Sequence, residues 1–249
     1  MTDELLYCAM ELGERLLTTG AEVRRVEETV GIVCRSYEVA RVDVYATTSH
    51  LIVSVITTDG AILNQTRRVQ VNSSDITKLD ALNALSRYIA EMKPDADEIK
   101  RRLAEIDKIK GYGKWLIPLC YAIVAAAFTV FFGSRSVPEA VISFFVGGII
   151  GGMDIAFERI GLQKPFMKLI CSFTACSLAF AATLSPFVSS PDLIIIGNIM
   201  TLIPGVGLTN ALRDLFTGDV ISGILRSIEA LLLGAVIAFG YVTAAFLFG

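Results

Sequence analysis

The chain has 249 residues, is 53% hydrophobic and carries a formal net charge of −3, with a mean hydropathy of +0.61. Residues 1–114 hold 16 Lys+Arg and 18 Asp+Glu, whereas residues 115–249 hold only 6 and 7. This excludes a wholly soluble protein, a disordered chain and a disulfide scaffold, and the charge balance gives no footing for nucleic acid, which needs basic patches to displace counterions.

Residues 1–111 read as a small cytosolic α+β domain. The start, Met1-Thr2-Asp3-Glu4, is acidic and lacks the cationic flank of a signal peptide. Leu5, Ala9, Leu12 and Leu16 recur at helical spacing, ended by Thr18-Thr19-Gly20. Val23, Val26, Val30, Val33 and Tyr37 form a second stripe, on a helix whose other face carries Glu22, Arg24, Arg25 and Glu28. The Arg25-Val-Glu27-Glu28 cluster reads as a solvated helix face or as a docking or gating surface. Three β-rich runs follow, Val42–Thr47, Leu51–Thr57 and Ala61–Val69, with the hairpin signal Asp59-Gly60 between the last two. Ser73-Ser74-Asp75 offers a helix cap ahead of Ile76, Leu79, Leu82, Leu85 and Ile89. Pro94 opens a last helix with Ile99, Leu103 and Ile106 inward, and Lys110-Gly-Tyr-Gly-Lys114 is the hinge into the membrane.

A hydrolase triad of Ser49, His50 and Asp43 can be imagined here, but strand neighbours point to opposite faces, so Ser49 and His50 are not expected to meet. No nucleophile elbow, Walker loop or metal motif occurs, and no cofactor is expected. The five cysteines, Cys8, Cys34, Cys120, Cys171 and Cys176, have no zinc-type spacing and read as buried small residues.

Five apolar segments then meet the roughly 20-residue length of a membrane span. Their helices are expected at about 115–132, 137–157, 166–188, 192–215 (broken at 204–207) and 220–248. The fold class is thus a membrane protein, a small cytosolic α+β domain followed by a five-helix α-helical transmembrane bundle. Lys100, Arg101, Arg102, Lys108, Lys110 and Lys114 precede the first span, and Arg159, Lys164 and Lys168 lie between the second and third. Arg213 and Arg226 flank the last turn, whereas the alternate loops carry one cation or none. This alternation places the N-terminus in the cytosol and the C-terminus outside, in a multi-pass cell membrane.

Polar groups at membrane depth mark function by default. In the fourth span Pro204-Gly205-Val206-Gly207 interrupts the helix about 18 Å from Asp192 at 1.5 Å per residue. A broken helix presents free carbonyls on one side and free N–H groups on the other, the device transporters use to hold ions and carboxylates; the plain alternative is a proline kink. Asn198, Thr201, Pro204, Gly205, Gly207, Asn210, Arg213 and Asp214 are the candidate substrate-binding residues. Asp154, Asp219, Arg226 and Glu229 are the candidates for coupling or gating, with Arg226 and Glu229 also readable as an interfacial pair. Together with Thr209 and Thr217 they suggest a polar vestibule open to the cytosol. Gly147-Gly148-Ile-Ile-Gly151-Gly152 overlays two GxxxG patterns, which permit close helix contact or, less simply, line a path.

Several of these segments resemble the threonine/serine exporter family. They are Gly20-Ala-Glu-Val-Arg-Arg25-Val-Glu27, Thr66-Arg67-Arg68-Val69, Asp75-Ile-Thr-Lys-Leu79 and, most specifically, Ile203-Pro204-Gly-Val-Gly-Leu-Thr-Asn210-Ala-Leu-Arg213-Asp214-Leu-Phe-Thr-Gly218-Asp219 with Ser222-Gly223-Ile-Leu-Arg226 and Glu229. The resemblance covers the whole chain and is to the larger half of a split, two-protein form. It implies a bacterial or archaeal inner-membrane secondary exporter of a threonine/serine-type amino acid or a dicarboxylate such as succinate. It further implies a smaller multi-span membrane partner and a functional role for Pro204, Gly205, Asn210, Arg213, Asp214, Gly218 and Asp219. Apart from that partner, membrane lipid and the small-molecule substrate are the expected contacts. The alternatives are a membrane-anchored sensor or regulator with the cytosolic domain as effector, and a membrane-bound hydrolase using His50.

Overall fold

The computed structural model describes residues 1–69, 75–109, 111–113, 115–188 and 190–249. The expected cap residues Ser73 and Ser74, the hinge residues Lys110 and Lys114, and Ser189 of the loop before Asp192 lie outside the described residues. The chain divides into two units, residues 1–111 with 210–225, and residues 112–209 with 226–249.

In the first unit the elements are α1 (Asp3–Thr18), α2 (Val23–Ser36), β1 (Val39–Ala46), β2 (His50–Thr57), β3 (Ile62–Arg68), α3 (Ile76–Met92) and α4 (Ala96–Asp107). The three strands form an antiparallel sheet in the order β1-β2-β3. On β2 the residues Leu51, Val53, Val55 and Thr57 face inward and alternate with more open neighbours, as the two-residue period of a half-buried strand requires. α1 and α2 cover the inward face with Leu6, Leu12, Leu16, Val23, Val26 and Val30, all buried. Gly60, at φ +86°, makes the expected β2–β3 turn.

Two local expectations shift. Pro94, expected to open the last helix, stands one residue before its cap: α4 starts at Ala96, and the Asp95 carboxylate accepts the Glu98 N–H at 2.8 Å. Ile76, expected on the apolar face of α3, is exposed at the first position of the helix among the described residues.

The second unit contains α5 (Leu116–Phe131), α6 (Val137–Arg159), α7 (Lys164–Ala182) and α8 (Asp192–Leu202). α9 (Gly205–Thr217) and α10 (Val220–Phe248) are divided between the two units. α6, α7 and α10 are each long and apolar enough to cross a membrane, and α8 with α9 meets the same test as a pair bent by 57°. α5, with 16 residues, is a shorter apolar helix. α7 ends at Ala182, six residues earlier than expected, because the ring of Pro186 would clash with the carbonyl four residues before it.

Small residues bring these helices together. A Cβ added at Gly147 would lie 2.7 Å from the Tyr121 carbonyl oxygen, and one at Gly151 would lie 2.8 Å from Pro118 Cα, both on α5. Gly197 of α8 also meets α5, where a Cβ would stand 2.8 Å from the Ala125 carbonyl oxygen. The GxxxG stripe therefore serves helix contact within this chain, while Gly152 faces open space. Many large apolar side chains remain exposed, among them Phe131, Phe145, Leu231, Phe239 and Phe246, as on a surface solvated by lipid.

Candidate functional site

The broken fourth segment is explained by three consecutive residues. Ile203 is extended (φ −68°, ψ 131°), as the residue before a proline prefers. Pro204 has no N–H to continue the helix, and the Gly205 N–H turns back to the Ile203 carbonyl at 2.8 Å. α9 then starts at Gly205, so the break occupies Ile203–Pro204, shorter than the expected 204–207. Gly205 and Gly207 are both helical and exposed in the first turn of α9, and Pro204 is half-buried.

Upstream of the elbow, α8 carries a buried polar network. Asn198 Nδ2 donates to Ser143 Oγ on α6 (2.8 Å) and to the Ile194 carbonyl (2.8 Å). Ser143 and Thr129 Oγ1 lie 2.5 Å apart, and Thr129 donates to the Ala125 carbonyl on α5. Asn198, Ser143 and Thr129 are fully buried, and Asn198 Oδ1 has no hydrogen-bond partner among the described residues. Thr201 Oγ1 donates to the Asn198 carbonyl, within its own helix. Sequence reading found Asn198 but missed Ser143 and Thr129, whose signal was a hydroxyl inside an apolar run.

Asp154 is not alone. Its Oδ1 accepts from Lys168 Nζ on α7 at 3.2 Å, and its Oδ2 accepts from the Tyr121 hydroxyl on α5 at 3.1 Å. Lys168, read from the sequence only as a loop cation, sits one turn inside α7. Of the candidates on α10 in the same unit, Arg226 is half-buried and Glu229 exposed. A groove of about 600 Å³ lies between α5 and α6 near their linking turn, lined by Val130, Arg135, Val141, Phe144 and Phe145 among others, and includes none of the candidate residues.

The remaining candidates belong to the first unit. Asn210 is half-buried, Arg213 exposed and Asp214 fully buried. Arg213 Nη1 reaches Glu22 Oε2 on α2 at 3.4 Å, a partner that sequence reading did not supply. α9 closes in a Schellman motif: the Gly218 N–H meets the Leu215 carbonyl, and the Asp219 N–H meets the Asp214 carbonyl at 2.9 Å. Gly218 has φ +92°, the left-handed conformation that this closure needs. Glu27 Oε1 accepts the Ala46 N–H at 2.8 Å. Burial, followed by the nearby charge of Asp219, pushes the Glu27 carboxyl above its ordinary range against that hydrogen bond.

The imagined triad does not assemble. Ser49 Oγ does approach His50 Nδ1, at 2.9 Å, contrary to expectation, because Ser49 lies in the turn before β2 where strand alternation does not apply. Asp43, however, pairs across the sheet with Ser54, four residues along β2 from His50, and forms an ion pair with Arg41. Among the described residues no group of three or more His, Cys, Asp or Glu is placed to hold a metal ion.

Residues 7–248 match the family described as "Putative threonine/serine exporter". The chain is 25% identical over 241 residues to a "Probable threonine/serine exporter" of Mycobacterium tuberculosis, covering 96% of this chain but 45% of that protein. It is 24% identical over 248 residues to the "Probable succinate transporter subunit YjjP" of Klebsiella aerogenes, covering 98% of this chain and 92% of the relative. The protein of the same name from Escherichia coli K12 is 25% identical over 251 residues, with 96% and 93% covered. The chain thus spans less than half the length of the mycobacterial relative and nearly all of the two subunits. No solved structure matches it.

Proposed function

Because the chain belongs to the threonine/serine exporter family, we propose that it is one subunit of a secondary transporter exporting a small carboxylate-bearing metabolite. The cargo is a threonine/serine-type amino acid or a dicarboxylate such as succinate, and a smaller multi-span membrane protein completes the assembly. In this reading the chain crosses the membrane five times, α5 being the first crossing and the bent α8–α9 pair the fourth. The N-terminus is cytosolic and the C-terminus outside.

The observation that carries the proposal is the break at Ile203–Pro204 with its 57° bend. A helix that stops and restarts leaves carbonyls at one end and amides at the other without partners in their own helix. At membrane depth such groups are costly unless they face a ligand or a wet cavity. The amides of Val206 and Gly207 in the first turn of α9 hold the carboxylate, and Asn198 and Thr201 on α8 contact the rest of the cargo. Coupling uses a proton or sodium gradient.

The test is efflux from proteoliposomes containing the chain and its partner, preloaded with threonine, serine or succinate under an imposed proton or sodium gradient. Gradient-dependent loss of one of the three is expected. No movement of any of them rejects the proposal.

A second reading, a membrane-anchored regulator with residues 1–111 as effector, is favoured by the Arg213–Glu22 ion pair, which ties α9 to α2. Removing residues 1–111 then abolishes signalling, whereas partial export survives if the transporter reading holds.

A further inference from the structure

Lys168 is held where its own helix disfavours it. It lies one turn inside the start of α7, whose first turn has no acidic residue, and the positive end of a helix repels an ammonium group. Asp154 on α6 keeps it there, while the second carboxylate oxygen takes the Tyr121 hydroxyl, so three helices meet at one carboxylate. The pair is neither sealed nor free, with 16% of the Lys168 and 24% of the Asp154 side chain exposed. The titratable groups around Asp154 are Tyr121 from α5 and Lys168 and Cys171 from α7, with Glu158 of its own helix near the same Tyr121. Of these only Lys168 is cationic. A charge pair at this depth costs desolvation of both ions, and losing one partner leaves the other uncompensated. A pair serving packing alone would be replaced without penalty by apolar side chains of similar volume.

We propose that Lys168 is a carboxylate-binding residue of the transporter and that Asp154 is its built-in competitor. The Asp154 carboxylate occupies the ammonium group as a cargo carboxylate does. When a proton from water adds to Asp154, an O–H bond forms, the negative charge disappears and Lys168 is released to an incoming carboxylate. Loss of that proton to water restores the pair and displaces the cargo. The inference rests on the reading of the chain as a carboxylate exporter: Lys168 and the α9 amides take the cargo carboxylate in turn, as successive stations, and this applies alike to threonine and succinate, which share the group recognised.

The test uses membrane vesicles with the cytosolic face outward, from native host cells carrying each variant in place of the chromosomal copy, so that any partner is present. Uptake of labelled threonine and labelled succinate is measured from acidic to alkaline medium. Asp154→Asn removes the competing charge while keeping an acceptor for Tyr121, and the half-saturating concentration of the transported probe falls about tenfold and loses its pH dependence. Lys168→Gln abolishes saturable uptake, Lys168→Arg retains it, and the double variant Asp154→Asn/Lys168→Gln inserts normally yet stays inactive. Wild-type uptake by the double variant makes the pair a structural one and overturns the inference, as does an unchanged pH profile in Asp154→Asn. If wild-type vesicles move neither probe, the exporter reading fails and the inference with it, a result recognisable before any variant is compared.

Discussion

The two units are held together by opposite means. In the first, branched aliphatic side chains from α1, α2, β2, α3 and α4 fill one core, as water-driven burial demands at about 25 cal/mol per Å². In the second, glycines bring backbones into contact, and hydroxyls with an amide tie α5, α6 and α8. Many large apolar side chains there point outward, around two smaller buried clusters that include Ile150, Ile194 and Leu202. Lipid is as apolar as leucine, so burying leucine gains little and close backbone packing takes over. The contrast teaches where to cut: side-chain volume matters most in one unit, its absence in the other.

The largest effect is expected where this rule is strictest. Leu12→Ala, at a fully buried site, should cost about 2–5 kcal/mol, read as lost hydrogen-exchange protection of the β2 amides. Leu231→Ala, on the exposed face of α10, should stay within about 0.5 kcal/mol. Equal losses at the two positions would erase the contrast.

Next come the glycines. Gly197→Ala places a methyl group against backbone atoms of α5 and should cost about 1–3 kcal/mol, seen as a lower melting temperature in detergent. Gly152→Ala meets nothing within 4 Å and should be neutral or stabilising by up to about 1 kcal/mol through helix propensity. A benign Gly197→Ala would remove close packing as the organising force.

Smaller still is the α9–α2 ion pair. With the Arg213 side chain 57% exposed, its loss should change stability by at most about 1 kcal/mol. Arg213→Ala and Asp214→Ala should nevertheless each impair export while leaving membrane insertion intact. Normal flux in both would take this segment out of the function.

The smallest effect is a pH slope. Burial lets the folded chain keep the Glu27 proton to a higher pH than the unfolded chain, whose ordinary value is 4.5. The folded state therefore binds more protons above that value, and the stability this provides at low pH is lost as pH rises through the raised value. Glu27→Gln should flatten this decline in a series of melting curves. A slope identical to wild type would assign the decline to other groups.

Much of this was legible in the sequence, for identifiable reasons. The stripe Val23, Val26, Val30 and Val33 is buried throughout α2, because one face of that helix has a single job. The interruption at Pro204 was legible to within three residues, since a missing N–H is a local property. Partners were not legible. Asp154 and Lys168 lie 14 residues apart, and counting Lys168 as a topological marker hid its carboxylate. Glu22 and Arg213 are 191 residues apart, and nothing in the local pattern of either names the other. Ser49 and His50 failed in the opposite way, because a rule for strands was applied to a residue in a turn.

The thiols have a practical consequence. Cys8, Cys34, Cys171 and Cys176 are buried as expected, whereas Cys120, also expected to be buried, is exposed. Burial also pushes the Cys8 thiol up and the Cys34 thiol up to about 12, so neither supplies much thiolate, the form that alkylating reagents attack. A maleimide should therefore mark the native chain at one position, and Cys120→Ala should leave it silent. Reporter cysteines introduced along the elbow could then be followed without stripping the interior of its own sulfur.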